Sequence, residues 1–412
     1  MRILIVNSMF ASSVYRRCVD EFAAIPGVDL TMLTVDSWRM NGRPMPFEPI
    51  VAESAGCPRP AYATVVGNTG WRGYENRGFY RSGLLRAFRM SKPDVLFLME
   101  EPFSVFAAEI LFVKSLISPK IPVVFFTWNN LSLEKFDYRP GLFYRNVAKQ
   151  TIPRMHYGLT ANSDAINVLR HAGFDKPIKT IGYGVDTADY RKKSTEKVNA
   201  IRVSLNIGKE DKVIGYVGRM IDMKGVDLLI DAFAQMKHED PNSTSKLLLV
   251  GSGEDEKKLF QLASEAGISS DIRHIPSVSH KEVPDYMHTL DILVLPSRRK
   301  AMWAEQFGRV LVEAMAAGKI VIGSSSGAIP EVIGNGGFVF PENDAVSLSI
   351  ELKRALLLSK EEISKLANAA RLRAEYFSWS RFARDAYEAI EYCHSHFPTK
   401  SKSAALDRRI TK

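Results

Sequence analysis

Cysteine is scarce in this sequence: Cys18, Cys57 and Cys393 are its three, widely scattered and odd in number. That excludes a disulfide framework and a cysteine-rich metal site, and makes a reducing cytoplasm the simplest compartment. No apolar run approaches the roughly 20 residues of a membrane-spanning helix. The apolar start, Met1-Arg-Ile-Leu-Ile-Val-Asn7, is too short for the core of a signal peptide and reads as a first strand. Internal repeats with a period of about 20 to 50 residues are also missing. No Asp-x-Asp stands at a strand end and His/Cys clusters are lacking, so neither a metal nor a cofactor is expected. What remains is a chain of 412 residues, 46% hydrophobic and 25% charged. It is too long for one ordinary core, and two globular domains are expected.

Acidic charge is short in the first part of the chain. Residues 1–180 hold 22 Lys/Arg against 15 Asp/Glu, most of the net +9. Arg59, Arg72, Arg77, Arg81, Arg86, Arg89 and Lys92 are opposed only by Glu75 and interleaved with Tyr62, Trp71, Tyr74, Phe79, Tyr80 and Phe88. Basic residues mixed with aromatics suit an anionic membrane surface, a lipid diphosphate or nucleic acid, and a solvated helix face is the plain alternative.

Strand-like runs at Asp29–Val35, Ala63–Val66, Pro93–Leu98 and Pro122–Thr127 alternate with helix-compatible stretches. This implies an α/β class with doubly wound parallel sheets, in which ligands collect at the carboxyl ends of strands. Glu100, Glu101 and the segment Trp128-Asn129-Asn130 stand at such ends. Trp128 is read either as a stacking platform for an apolar ligand face or as a buried structural ring, and Asn129 as a hydrogen-bonding group. Ser163 with Asp164 is expected to cap a helix running to His171, and the charged run Arg191–Lys197 to mark a linker.

The richest stretch is Pro296–Val332. An apolar strand, Asp291–Leu295, ends at Pro296, and Phe307-Gly308-Arg309 opens a crossover helix with Val310, Leu311, Ala314, Met315 and Ala317 on its packed face. Gly318 stops the helix, and a strand restarts at Ile320. Glu305 precedes this helix and Glu313 lies inside its apolar run, two turns or roughly 12 Å away. The helix N-terminus between them offers unpaired N–H groups to an anion. Taken alone, the two glutamates are equally well a first-turn charge and a residue snorkelling to water.

Upstream, Lys212-Val-Ile-Gly-Tyr-Val-Gly218-Arg219 runs into Met220-Ile-Asp-Met-Lys224-Gly225. Gly218 permits close backbone approach, while Arg219 offers a planar fork and Lys224 a point charge to a diphosphate. Gly251-Ser-Gly253 alone is a weak phosphate signal.

Glu-x7-Glu with Phe-Gly between, the following Ser324–Glu331 segment and Gly-Arg-x4-Lys-Gly together resemble the signatures of retaining glycosyltransferases of family 4, which have the two-domain GT-B fold. The resemblance implies two doubly wound Rossmann-like domains facing a cleft. It places an acceptor-binding domain at 1–190, joined by a helix at about 376–396, a nucleotide-sugar-binding domain at 198–375, and a flexible basic tail at 397–412.

It further implies donor contacts from Gly218, Arg219, Lys224, Glu305, Phe307, Gly308, Arg309, Glu313 and Ile275, the last in the segment that borders the base. Arg219, Lys224 and Glu305 are the expected catalytic residues. Ser12, Ser13, Arg16, Glu101, Trp128 and Asn129 are expected on the acceptor side. The glycine pair that many members carry near Ser12 is absent, and Trp128-Asn129 stands where many have a histidine, so no catalytic histidine is assigned. The function implied is transfer of a hexosyl unit from a UDP- or GDP-linked sugar to a saccharide or lipid-linked saccharide. The expected location is cytoplasmic, peripheral at the inner membrane face where the basic stretch meets anionic lipid. Nucleic acid is not an expected partner. The alternative is a noncatalytic sugar-nucleotide or polyanion-binding protein on the same scaffold.

Overall fold

The computed structural model describes residues 1–40, 43–49, 62–70, 76–132 and 139–397. Cys57, Arg59, Trp71, Arg72, Tyr74, Glu75 and the tail beyond 397 lie outside these residues. The chain divides into two compact units: Met1–Gly184 with Trp379 onward, and Val185–Ser378.

The first unit holds a seven-stranded sheet in the order Ile178–Thr180, Tyr157–Thr160, Val123–Thr127, Val95–Leu98, Arg2–Val6, Asp29–Val35, Ala63–Gly67. All its pairings are parallel. Strands Val95–Leu98 and Val123–Thr127 are buried end to end and Arg2–Val6 from Ile3 onward, as suits helix-covered parallel strands. Helices Leu84–Ser91, Val105–Ile117 and Arg139–Thr151 lie side by side. Leu84, Ala87, Phe88, Phe106, Ile110 and Ala148 from this layer enter one core cluster with the strand residues Leu4, Leu96 and Phe125. Helix Arg17–Ala23 packs with the long helix Trp379–His396. Phe382 of that helix meets Phe126 edge-on at 5.3 Å. Gly184 lies so close to the Trp379 indole that a Cβ there would overlap it.

The second unit holds six parallel strands in the order Ile272–Ile275, Lys246–Val250, Val213–Val217, Ile292–Leu295, Ile320–Ser324, Phe338–Phe340. The apolar runs of the sequence thus form two doubly wound sheets, the α/β class expected.

Several local expectations are corrected. Arg191–Lys197 is not an extended linker: Thr187–Arg191 and Thr195–Ser204 are helices, the second capped by the Ser194 hydroxyl. The second unit begins at Val185 rather than 198, because the first of these helices buries Tyr190 against Arg309–Ala316. Ser163 makes no side-chain cap; the Asn162 side-chain oxygen Oδ1 accepts the Ala165 N–H at 2.9 Å instead. The helical stretch 345–373 is two helices, Ala345–Leu356 and Lys360–Glu375, with a capping box of Ser359 and Glu362 starting the second. Tyr80 and Phe88 are core residues, not surface aromatics.

Candidate active site

In the second unit three strand ends converge. Strand Val213–Val217 leads through Gly218 and Arg219 to the turn Asp222–Lys224, and the Tyr216 hydroxyl donates to the Arg219 carbonyl at 2.7 Å, fixing the bend. Gly225 closes the turn at φ +67°, where a side chain would be strained and a Cβ would overlap the Pro296 carbonyl oxygen. The turn is thereby held against the end of strand Ile292–Leu295.

The loop after that strand carries Ser297, Trp303 and Glu305. Glu305 is 7% exposed, so its charge needs partners. Its Oε2 accepts from Lys224 Nζ at 2.6 Å and from the Ser297 hydroxyl at 2.8 Å. The Lys224 ammonium also lies 4.8 Å from the Trp303 ring centroid, within cation–π range. The Glu305 carbonyl accepts from Ala328 N–H at 2.9 Å, which ties this loop to the Ser324–Ala328 segment. In that segment the buried Ser326 hydroxyl has no hydrogen-bond partner among the described residues.

Gly308, left-handed at φ +80°, caps helix Arg309–Ala316, and Phe307 is buried with its ring 5.2 Å from Phe377. Glu313, 5% exposed, is held by Arg309 Nε at 2.8 Å and by the hydroxyl of Tyr190. Burial and the Glu313 charge push the Tyr190 phenol well above its ordinary pKa, so it stays a donor. His280 Nδ1 lies 3.4 Å from the Arg309 guanidinium. Ile275 ends its strand half-buried, its carbonyl accepting Gly251 N–H at 2.9 Å. The structure therefore brings together Lys224 with Glu305 and Arg309 with Glu313, while Arg219 is exposed. Sequence reasoning missed Ser297, Trp303 and Tyr190.

The acceptor-side candidates belong to the first unit. Ser12 Oγ and Ser13 N–H both donate to the Glu48 carboxylate, at 3.3 and 2.7 Å, and Arg16 is buried with its guanidinium 3.9 Å from it. Their donors thus meet a side chain of the same unit, which the sequence reading did not foresee. Glu101 accepts from the Thr127 hydroxyl and from Trp128 N–H at 3.1 Å. Its neighbour Glu100 accepts from Ser8 N–H and Oγ. Burial pushes both carboxyl pKa values up to about 7. Asn129 closes a local turn with Leu131, its Nδ2 donating and its Oδ1 accepting. Trp128 packs against Tyr183 with centroids 4.0 Å apart and planes tilted by 34°, and meets Phe126 edge-on, which favours the structural reading of that ring.

Comparison with known proteins gives the class. Two solved structures share the fold over nearly the whole chain. Sucrose-phosphate synthase from Thermosynechococcus elongatus superposes with a TM-score of 0.69 at 18% identity, covering 96% of this chain and 99% of that one. Anabaena Alr3699/HepE in complex with UDP gives 0.66 at 17%, covering 95% and 100%. The fold is GT-B. Residues 197–373 match the family model of glycosyl transferases group 1.

Among relatives, the D-inositol 3-phosphate glycosyltransferase of Rhodococcus jostii is 28% identical over 286 residues, 66% of this chain and 61% of that protein. The D-inositol 3-phosphate glycosyltransferase 1 of Catenulispora acidiphila is 31% identical over 212 residues, 49% of each. The chain thus spans between half and three fifths of the length of these relatives. Among the described residues no helix is long and apolar enough to cross a membrane.

Proposed function

We propose that the chain is a retaining, metal-independent hexosyltransferase of family 4. Its donor is a nucleoside diphosphate sugar, UDP- or GDP-linked, and its acceptor a hydroxyl of a saccharide or lipid-linked saccharide in cell-surface polysaccharide or glycolipid synthesis. The observation that carries this reading is the buried ion pair of Lys224 with Glu305, set between a glycine turn and a helix N-terminus. A cation, a carboxylate and the positive end of a helix dipole in one place suit a sugar diphosphate: hydroxyls go to the carboxylate and phosphate oxygens to the cation and the helix end. The relatives named as glycosyltransferases, and the neighbour solved with UDP, support the same donor class.

In this reading the bond from the anomeric carbon to the diphosphate oxygen breaks while the acceptor oxygen bonds on the same face, and the acceptor proton passes to the leaving diphosphate. The protein's task is to stabilise the departing negative charge, by Arg219 and Lys224. Glu305 orients the sugar hydroxyls. Glu313, aimed by Arg309 and Tyr190, holds the ribose diol.

The test is a panel of UDP- and GDP-sugars with two readouts, the melting temperature and the slow release of nucleoside diphosphate. One donor is expected to raise the melting temperature and to be hydrolysed. A donor that binds but is neither hydrolysed nor transferred to any acceptor would favour the noncatalytic alternative, and no response to any of them would remove the reading.

A further inference from the structure

The helix layer of the first unit leaves large apolar side chains uncovered. Helix Leu84–Ser91 buries Leu84, Ala87, Phe88 and Ser91, so its opposite face presents Leu85, Arg86, Arg89 and Met90. Helix Val105–Ile117 buries Phe106, Ile110 and Leu111 and leaves Phe112 and Leu116 58% and 69% exposed. Helix Arg139–Thr151 buries Ala148 while Leu142 and Phe143 stand about half exposed at 48% and 49%. The buried residues of all three helices enter one cluster on one side of the sheet, so these uncovered residues share the outer side of a single layer. Single exposed apolar residues are ordinary, but pairs on three adjacent helices are not.

The charge on these helices is one-sided. Arg86, Arg89 and Lys149 are exposed on them, Lys114 is buried and donates to the Pro119 carbonyl at 2.8 Å, and the carboxylate of Glu109 accepts from Tyr80 N–H at 2.7 Å. Arg81 and Lys92 flank the first helix, both exposed.

We propose that the outer face of this three-helix layer docks on a bilayer bearing anionic headgroups. Arg86, Arg89, Lys92 and Lys149 meet the phosphates, and Leu85, Met90, Phe112, Leu116, Leu142 and Phe143 enter the boundary with the acyl chains. Charge complementarity selects this occupant: a second copy of the chain would bring the same basic surface against itself. The surface differs from the one the sequence suggested, since Tyr80 and Phe88 are buried and the apolar contribution comes from Leu85 and Met90 and from two helices beyond residue 92. The proposal extends the reading of a lipid-linked acceptor but is tested without any sugar nucleotide, so either one can fail alone.

The experiment is sedimentation of the full chain with vesicles of phosphatidylcholine, with and without phosphatidylglycerol, at low and high salt. Binding is expected only with phosphatidylglycerol and should weaken at high salt. Arg86→Glu with Arg89→Glu, and separately Phe112→Ser with Leu116→Ser, should each lower the bound fraction about tenfold or more while thermal melting is unchanged. No sedimentation at low salt would overturn the proposal, as would binding that survives both variant pairs. A dimer in light scattering that the Phe112/Leu116 variant dissolves would assign the face to a second copy and overturn it too.

Discussion

Lys224 Nζ and Glu305 Oε2 lie 2.6 Å apart although 81 positions separate them in the chain, and both side chains are largely buried. Each is the other's counter-ion, so removing one should act on stability as well as on chemistry. Lys224→Ala is expected to lower turnover about 100-fold through loss of a cation at the leaving group. It should also destabilise by about 3 kcal/mol, because the buried Glu305 carboxylate loses the cation that faces it. The double variant Lys224→Ala with Glu305→Gln should regain most of the melting temperature and none of the turnover. Near-normal turnover in the single variant would sink the donor-site assignment.

The two carboxylates should fail differently. Glu313→Gln should weaken binding of the free nucleoside diphosphate, whereas Glu305→Gln should leave it nearly unchanged and reduce transfer. Tyr190→Phe removes one hydrogen bond that aims Glu313 and should weaken nucleoside diphosphate binding by roughly three- to tenfold. Titration calorimetry separates the three. Equal weakening in both glutamate variants would contradict the division of roles.

Glu101 supplies a pH dependence. Its folded pKa is raised by burial from an ordinary 4.5 to about 7, so between these values the folded chain holds a proton that the unfolded chain has lost. Stability on this account falls as pH rises through that window, and the penalty is complete above about 7. Glu101→Gln keeps an acceptor for Trp128 N–H without the charge. Relative to wild type it should therefore gain melting temperature at pH 8 and gain little at pH 5. A residual slope belongs to Glu100, and an equal effect at both pH values would refute the assignment.

Two glycines of similar φ should respond differently to alanine. At Gly267, φ +71°, nothing lies near the added Cβ, so Gly267→Ala costs only backbone strain, about 1 kcal/mol, and leaves donor binding intact. Gly225→Ala carries the same strain and a collision with Pro296, so it should melt earlier still and bind donor more weakly as Lys224 shifts. Comparable melting and binding in the two variants would show that the Gly225 turn does not set the Lys224 position.

The second unit was legible because its chemistry is written locally. Lys224 and Gly225 sit in one turn, Glu305 and Glu313 straddle one helix start, and apolar runs at 213–217 and 292–295 mark the strands between them. Partner choice was not legible, since nothing near Lys224 in the chain announces Glu305. Tyr190 was hidden because a lone aromatic beside Arg191-Lys192-Lys193 looks like linker until its helix packs. Asn162 and Ser163 are rival caps one residue apart, and the backbone conformation settles the choice. Ser12 and Ser13 find Glu48 some 35 residues on, a contact no periodicity encodes. For Tyr80 and Phe88 the interleaved arginines drew attention to charge, while the spacing of Leu84, Ala87, Phe88 and Ser91 already marked a buried stripe.

The close fit of Gly184 to Trp379 has its counterpart one residue on, where Val185 N–H donates to the Phe377 carbonyl at 2.8 Å and Val185 bridges to Ser378. The second unit is therefore a cassette whose two ends emerge together, inserted into a host that resumes where it paused. Residues 185–378 form an uninterrupted stretch suited to expression by itself. The host is not one: cut after Gly184, it loses the helix that covers Phe126 and Tyr183 and bares an aromatic wall. Splicing 184 directly to 379 would return that cover, so the two halves can be handled separately only by cutting the chain at both junctions.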